Sequence, residues 1–226
     1  MITLAELFDL STLPPELAPL FAPDRPWEVL ARLDGFGREL KGGLAGRVHP
    51  TAILEGEVFV AEGARVGPYA LVEGPAWIGP GANVGHGAYL RGPVVLMAGA
   101  LVGHSSEVKR SLLLPGARAP HFNYVGDSVI GAGANLGAGV KVANFKTFGD
   151  GIRMDGVDTG LRKLGAFVGD RVAIGCNAVL SPGSIIGPGT IVYNGALVRG
   201  TVPPNAILKS RLEHELASRT PLPRQA

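Results

Sequence analysis

The chain has 226 residues, enough for one sizeable domain, with 21 Lys+Arg against 19 Asp+Glu and a formal charge of +2. That balance implies neither a broad basic face for nucleic acid nor an acidic tail, so any anion site must be local. A single cysteine excludes an intrachain disulfide; with an acidic start, "MITLAELFDLS", and no 18-residue apolar run, the expectation is a soluble cytoplasmic protein with no membrane partner.

Residues 1–45 are predicted to form a helical cap. Thr3 and Glu6 have capping-box spacing, and "DRPWEVLARL" offers Asp24 as a cap with Pro26 just inside a helix. Two short helices are expected to cover the first coil of the repeat region that begins after them.

From residue 46 an aliphatic side chain returns every sixth position: Val48, Leu54, Val60, Val66, Val72, Ile78, Val84, Leu90, Leu96, Val102, Val108 and Leu114. Small residues such as Ala82, Ala88 and Ala100 fall four positions after many of them. The ladder resumes at Ile130, Leu136 and Val142, and again at Val168, Ile174, Leu180, Ile186, Val192 and Val198. A period of six does not suit an amphipathic helix, whose stripe returns in steps of three and four. It suits short strands joined by turns, and the glycines and prolines of "WIGPGANVGHGA" fall where the chain must turn. The pattern resembles the hexapeptide-repeat proteins of the left-handed parallel β-helix class, in which three hexads make one triangular coil. An all-β solenoid is therefore expected over 46–202, its coils ~4.8 Å apart. In 203–226, "NAILKSRLEHELASR" reads as a terminal amphipathic helix and a tail that cap the other end.

The period fails twice. Leu114 and Ile130 are sixteen positions apart, which predicts an outward bulge near 115–128, around His121. Val142 and Val168 are twenty-six apart, and "KTFGDGIRMDGVDTGLRKLGA" between them predicts an excursion over 146–165. Segments that leave a committed wall are where solenoids carry function.

The residues around these breaks resemble the acetyltransferase domain of the bifunctional enzyme that acetylates glucosamine-1-phosphate and then uridylylates it. The match rests on Arg91, "EVK" ending at Lys109, "HFNYVGD" with His121 and Tyr124, "NLGAG" with Asn135 and Ala138, and "NF" at Asn144 and Phe145. The resemblance implies acetyl-CoA as co-substrate, no metal, and His121 as the base that takes a proton from the attacking amine, a task suited to an imidazole. Arg91, Lys109 and Lys163 are the implied cations for the sugar's phosphate. Tyr124, Asn135 and Asn144 are implied to hold the sugar. The Ala138 N–H resembles the family's oxyanion donor, and Ala138, Phe145, Cys176, Asn194 and Arg211 are the implied lining for coenzyme A. Two positions depart from the family: Cys176 stands where serine is usual, and Phe145 where tyrosine is, which removes one hydroxyl near the donor.

Several positions also admit a bland explanation. His86 and His104 are one coil apart on the outer wall, but the close histidine spacing of a zinc site is missing, so no metal is expected. His49 and His214 carry no argument, and Cys176 also suits a small wall residue. Arg91 and Lys109 are one coil apart as well; two stacked cations repel unless an anion joins them. The family's trimers imply a homotrimer with the site between subunits. No glycine-rich nucleotide loop occurs in residues 1–46, so acetylation alone is expected, with a separate sugar nucleotidyltransferase as partner. The alternatives are a non-catalytic sugar-phosphate-binding regulator of such an enzyme, or an acyltransferase acting on a nucleotide-linked amino sugar.

Overall fold

An aliphatic residue at every sixth position can be buried only if the chain turns between hexads and returns over itself. In the computed structural model, which describes residues 2–22, 25–211 and 217, it does so as a parallel β-solenoid matching a left-handed β-helix. The first face is a nine-stranded sheet running from Arg47–Val48 to Ile207–Leu208. The second runs from Ile53–Glu55 to Leu197–Val198, and the third from Gly43–Leu44, which pairs with Val58–Val60, to Thr201–Val202. Hexad side chains fill the interior, with alanines such as Ala82, Ala100 and Ala134 beside them. Among the described residues no helix is long and apolar enough to cross a membrane.

Four expectations meet the structure, and three of them are revised. First, the chain does not bulge outward around His121. Residues Arg118–His121 and Tyr124–Gly126 are strands in the wall, with His121 opposite His104 and Val125 opposite Val108. The irregularity is a shortened corner: the inward residue after Val108 is Leu113 rather than Leu114, and after Val125 it is Ile130. Leu114 packs in a separate, outer cluster. Both short steps lie at the corner between the second and third faces. There Arg110 and Asp127 each turn the chain at positive φ, 44° and 47°, a conformation uncommon for residues with a side chain and found often at functional sites.

Second, residues 143–165 leave the wall at this same corner, one coil further on, and carry a small hairpin of Arg153–Met154 with Val157–Asp158. Ile152, Met154 and Leu164 from the excursion are buried.

Third, the amino-terminal segment does not cover the first coil. Helix α1, Leu4–Leu7, has the expected capping box, and the Thr3 N–H and hydroxyl hold the Glu6 carboxyl below its ordinary pKa. Helix α2, Glu28–Glu39, begins after Pro26 with no side-chain cap; Asp24 lies outside the described residues. The segment lies along the third face. The outward residues there, Phe59, Trp77, Val95, Leu112, Val129, Phe167 and Ile185, form a second apolar ladder in continuous register. Leu7, Leu17, Leu30 and Leu33 are buried with that ladder. Leu44 and Ile53 in the first coil remain exposed.

Fourth, the terminal helix expected from 205 does not start there. Pro203, Pro204 and Asn205, at φ 54°, make another corner, and Ile207–Leu208 pairs with Ile191–Val192. Of the remainder of that expected helix, 212–216, 218 and 219 lie outside the described residues.

Candidate functional site

The short corners concentrate charge. Lys109 lies in register with Arg91 on one side and Gly126 on the other. Asp127, 1% exposed, stands at the next corner, with its N–H bonded to Lys109 O at 2.9 Å. Lys109 Nζ donates to Asp127 Oδ2 at 3.2 Å, Arg110 Nη1 donates to Oδ1 at 3.2 Å, and the Asn144 amide also donates to Oδ2. A buried carboxylate needs such partners, since an unpaired one would cost several kcal/mol. Gly126 is the floor beneath them: a Cβ there would come within 2.8 Å of both Asn144 Cγ and the Tyr124 hydroxyl.

The excursion closes onto the same point. Leu164 N–H donates to Asn144 O at 2.9 Å and Gly165 N–H to Asp127 O at 2.8 Å, which brings Lys163 beside Asn144. The result is a cleft of about 480 Å³ lined by Arg91, Lys109, Tyr124, Asn144, Phe145 and Lys163. Each is a residue that the sequence singles out. Three of the six are cations and none is an acid, so the cleft suits a small, localised anion with a hydroxylated body.

The cations are not free of partners. Arg91 Nη1 donates to Glu107 at 2.8 Å, Arg91 Cζ lies 5.7 Å from the centre of the Tyr89 ring, and Glu107 raises the Arg91 pKa. With Lys109 on Asp127, each stacked cation has its own carboxylate, so the repulsion expected from their spacing is relieved within the protein. An anion is favoured by the three ammonium and guanidinium groups that line the cleft, not by uncompensated charge. Burial raises the Tyr124 pKa, which keeps its phenol a donor.

A second set of residues runs down the corner between the first and second faces. His121 accepts from Gly139 N–H at 2.9 Å through its carbonyl, Ala138 O accepts from Asn177 N–H at 2.9 Å, and Asn194 Oδ1 accepts from Cys176 N–H at 2.9 Å. His121, Ala138, Cys176 and Asn194 thus occupy successive coils. Among the described residues no acceptor meets the Ala138 N–H, whereas its counterpart in the next coil, Cys176 N–H, is satisfied by Asn194. His121 is exposed and does not line the cleft, but it is three residues from Tyr124, at most ~11 Å along the chain.

Asn135 is not brought into the cleft; it is exposed on the first face, in register with Arg118 and Ala173. Arg211 is exposed beyond the last strand. His86 and His104 stack at 4.9 Å with their Nδ1 atoms 2.9 Å apart, between the rings of Tyr69 and Phe122. Among the described residues no group of three metal-ligating side chains occurs. Asp127 and Glu107 lie inside "HFNYVGD" and "EVK", yet sequence reasoning gives neither a role. The spacing of seventeen between Val108 and Val125 is the available signal for Asp127.

No protein-family model matches this chain. It is 49% identical over 162 residues to the bifunctional protein GlmU of Methanococcus maripaludis strain C7, covering 70% of this chain and 39% of that protein. It is 37% identical over 100 residues to a bifunctional sugar-1-phosphate nucleotidylyltransferase/acetyltransferase of Sulfurisphaera tokodaii, covering 42% and 25%. The chain thus spans about two fifths or less of the length of these relatives. Among solved structures, the UDP-N-acetylglucosamine acyltransferase of Francisella novicida aligns over 75% of this chain and 60% of its own, at 13% identity and a TM-score of 0.47.

Proposed function

We propose that the chain is an acetyl-CoA-dependent N-acetyltransferase acting on an amino-sugar phosphate, with glucosamine-1-phosphate the expected acceptor, in nucleotide-sugar biosynthesis. The observation that carries this reading is the cleft where Arg91, Lys109 and Lys163 converge without a lining carboxylate. The names of the relatives, which join sugar-1-phosphate chemistry to acetyl transfer, support it.

In this reading the phosphate sits among the three cations, and Tyr124 and Asn144 hold the sugar ring. The sugar amine attacks the thioester carbonyl as His121 takes a proton from nitrogen. The Ala138 N–H, which meets no acceptor among the described residues, receives the developing oxyanion. As the C–S bond breaks, the imidazolium returns its proton to the departing thiolate, leaving the amide and free coenzyme A. Cys176 and Asn194 extend the same corner along which coenzyme A would lie, with Phe145 at the cleft's edge. Asn135 and Arg211 do not line one protomer's cleft. A homotrimer with sites between subunits would bring such outward residues to a neighbour's cleft, in the cytoplasm.

The test is thiol release from acetyl-CoA with glucosamine-1-phosphate, glucosamine-6-phosphate, glucosamine and a nucleotide-linked glucosamine. Turnover is expected with the 1-phosphate, and light scattering should return three times the 23.3 kDa chain mass. Phosphate-sugar binding with no thiol release from any acceptor would support a non-catalytic regulator instead. Turnover only with the nucleotide-linked sugar would move the acceptor.

Gly126 gives a sharper check on the cleft. Gly126→Ala places a methyl group against Asn144 and Tyr124 and is expected to raise the acceptor KM by roughly tenfold or more, equivalent to about 1.4 kcal/mol of binding. The KM for acetyl-CoA should be unchanged.

A further inference from the structure

The anion cleft is tied to the amino-terminal segment through an unbroken line of charged groups. Arg110 is the residue that alone turns the first short corner, and its guanidinium lies between helix α2 and Asp127. Its Nε donates to Asp34 Oδ1 at 2.9 Å and its Nη2 to Asp34 Oδ2 at 2.5 Å and to Leu30 O at 3.4 Å. Nη1 reaches Asp127 Oδ1 at 3.2 Å, while Asp127 Oδ2 takes Lys109 and Asn144. Asp34, Arg110, Asp127 and Lys109 therefore alternate in sign from the helix to the cleft wall. Neither Asp34 nor Arg110 lines the cleft.

We propose that Asp34 is a positioning residue for the anion cleft: by holding Arg110 bidentately, it leaves one oxygen of Asp127 to orient Lys109 and Asn144. The physical reason is competition for a shared acceptor. A guanidinium with both prongs on Asp34 offers Asp127 one N–H; released from Asp34, its preferred partner is the remaining carboxylate, engaged bidentately. That would draw Asp127 away from the lysine and asparagine that face the ligand. The inference deepens the acetyltransferase reading and rests on it for the identity of the ligand, but the linkage itself concerns anion binding.

The experiment compares Asp34→Asn, Asp34→Glu and Lys109→Met in the full chain. Asp34→Asn is expected to raise the acceptor KM by about tenfold, with kcat and the acetyl-CoA KM within about twofold, and Asp34→Glu to recover much of the loss. Combined with Lys109→Met, the Asp34 effect should largely vanish, since coupled residues are not additive. A residue that merely pins the helix would lower Tm with no selective change in acceptor KM and no coupling to Lys109, which would overturn the proposal. Calorimetric titration with inorganic phosphate and glucosamine-1-phosphate separates this from the enzymatic reading. If the wild-type chain binds them but releases no thiol, acetyl transfer fails while the affinity loss in Asp34→Asn still decides the linkage. If it binds neither, the cleft is not an anion site and this proposal falls with it.

Discussion

His121→Ala is expected to lower kcat by about 10²- to 10⁴-fold while the fold, the subunit number and the acceptor KM stay close to those of the wild type. The structure gives reasons for both halves. The imidazole is exposed, and no described side chain depends on it for packing. Its backbone is held independently: His121 N–H donates to Asn123 Oδ1 at 3.0 Å, Asn123 Nδ2 donates to Gly137 O at 2.7 Å, and Asn123 N–H donates to Ser106 Oγ at 3.1 Å. Asn123 is buried, so the corner keeps its shape without the histidine ring. In the proposed reaction the amine loses its proton acceptor, whereas the proposed phosphate contacts of Arg91, Lys109 and Lys163 are untouched. Steady-state kinetics, thermal unfolding and light scattering on one preparation check this together. A kcat within about threefold of wild type would remove His121 from the mechanism, and loss of the assembly would make the residue structural.

Much of this architecture is readable because a solenoid interior admits one aliphatic residue per hexad, so the ladder from Val48 to Val198 declares itself. The breaks are readable as failures of a count, but not as shapes. Sixteen positions between Leu114 and Ile130 look like an insertion, yet they hide two deletions, one at Arg110 and one at Asp127, because Leu113 and Leu114 are interchangeable to the eye. The third face had a signal that the period-six reading passes over. Its hexads carry apolar doublets, Phe59–Val60, Trp77–Ile78, Val95–Leu96, Val129–Ile130, Phe167–Val168 and Ile185–Ile186, whose first members face outward. A wall with apolar residues on both sides must be covered, which places the helices of residues 1–45 along the prism instead of over its end. The cations of the cleft are legible by resemblance. Their support is not, since no periodicity relates Asp34 to Arg110, 76 positions away.

Phe167→Ala should be among the most damaging single changes in this chain, costing about 3–5 kcal/mol. Its side chain is fully buried on the outer side of the third face, in register between Val129 and Ile185, within the cluster that contains Leu7, Leu17 and Leu30. The cost arises because neither neighbour can close the gap: both are strand residues fixed at the coil spacing, ~4.8 Å, and the covering segment is itself anchored. Asp9 N–H donates to Asp170 Oδ2 at 2.7 Å, and Asp170 N–H donates to Leu7 O at 3.1 Å. Those anchors resist collapse into the cavity, which keeps the penalty high. The interior ladder does not share the loss, because Val168 rather than Phe167 faces inward. In a repeat structure, where stability is a sum of local interfaces, the damage should therefore be uneven. Amide exchange is expected to quicken in residues 4–33 well before it does at Val84 or Val102, and urea unfolding should show an early step absent from the wild type. A single transition displaced by less than about 1 kcal/mol would mean that the segment contributes little. Because Asp34 belongs to the same segment, the early step should also carry away affinity for phosphate, so that the cleft loosens while the solenoid beneath it is still folded.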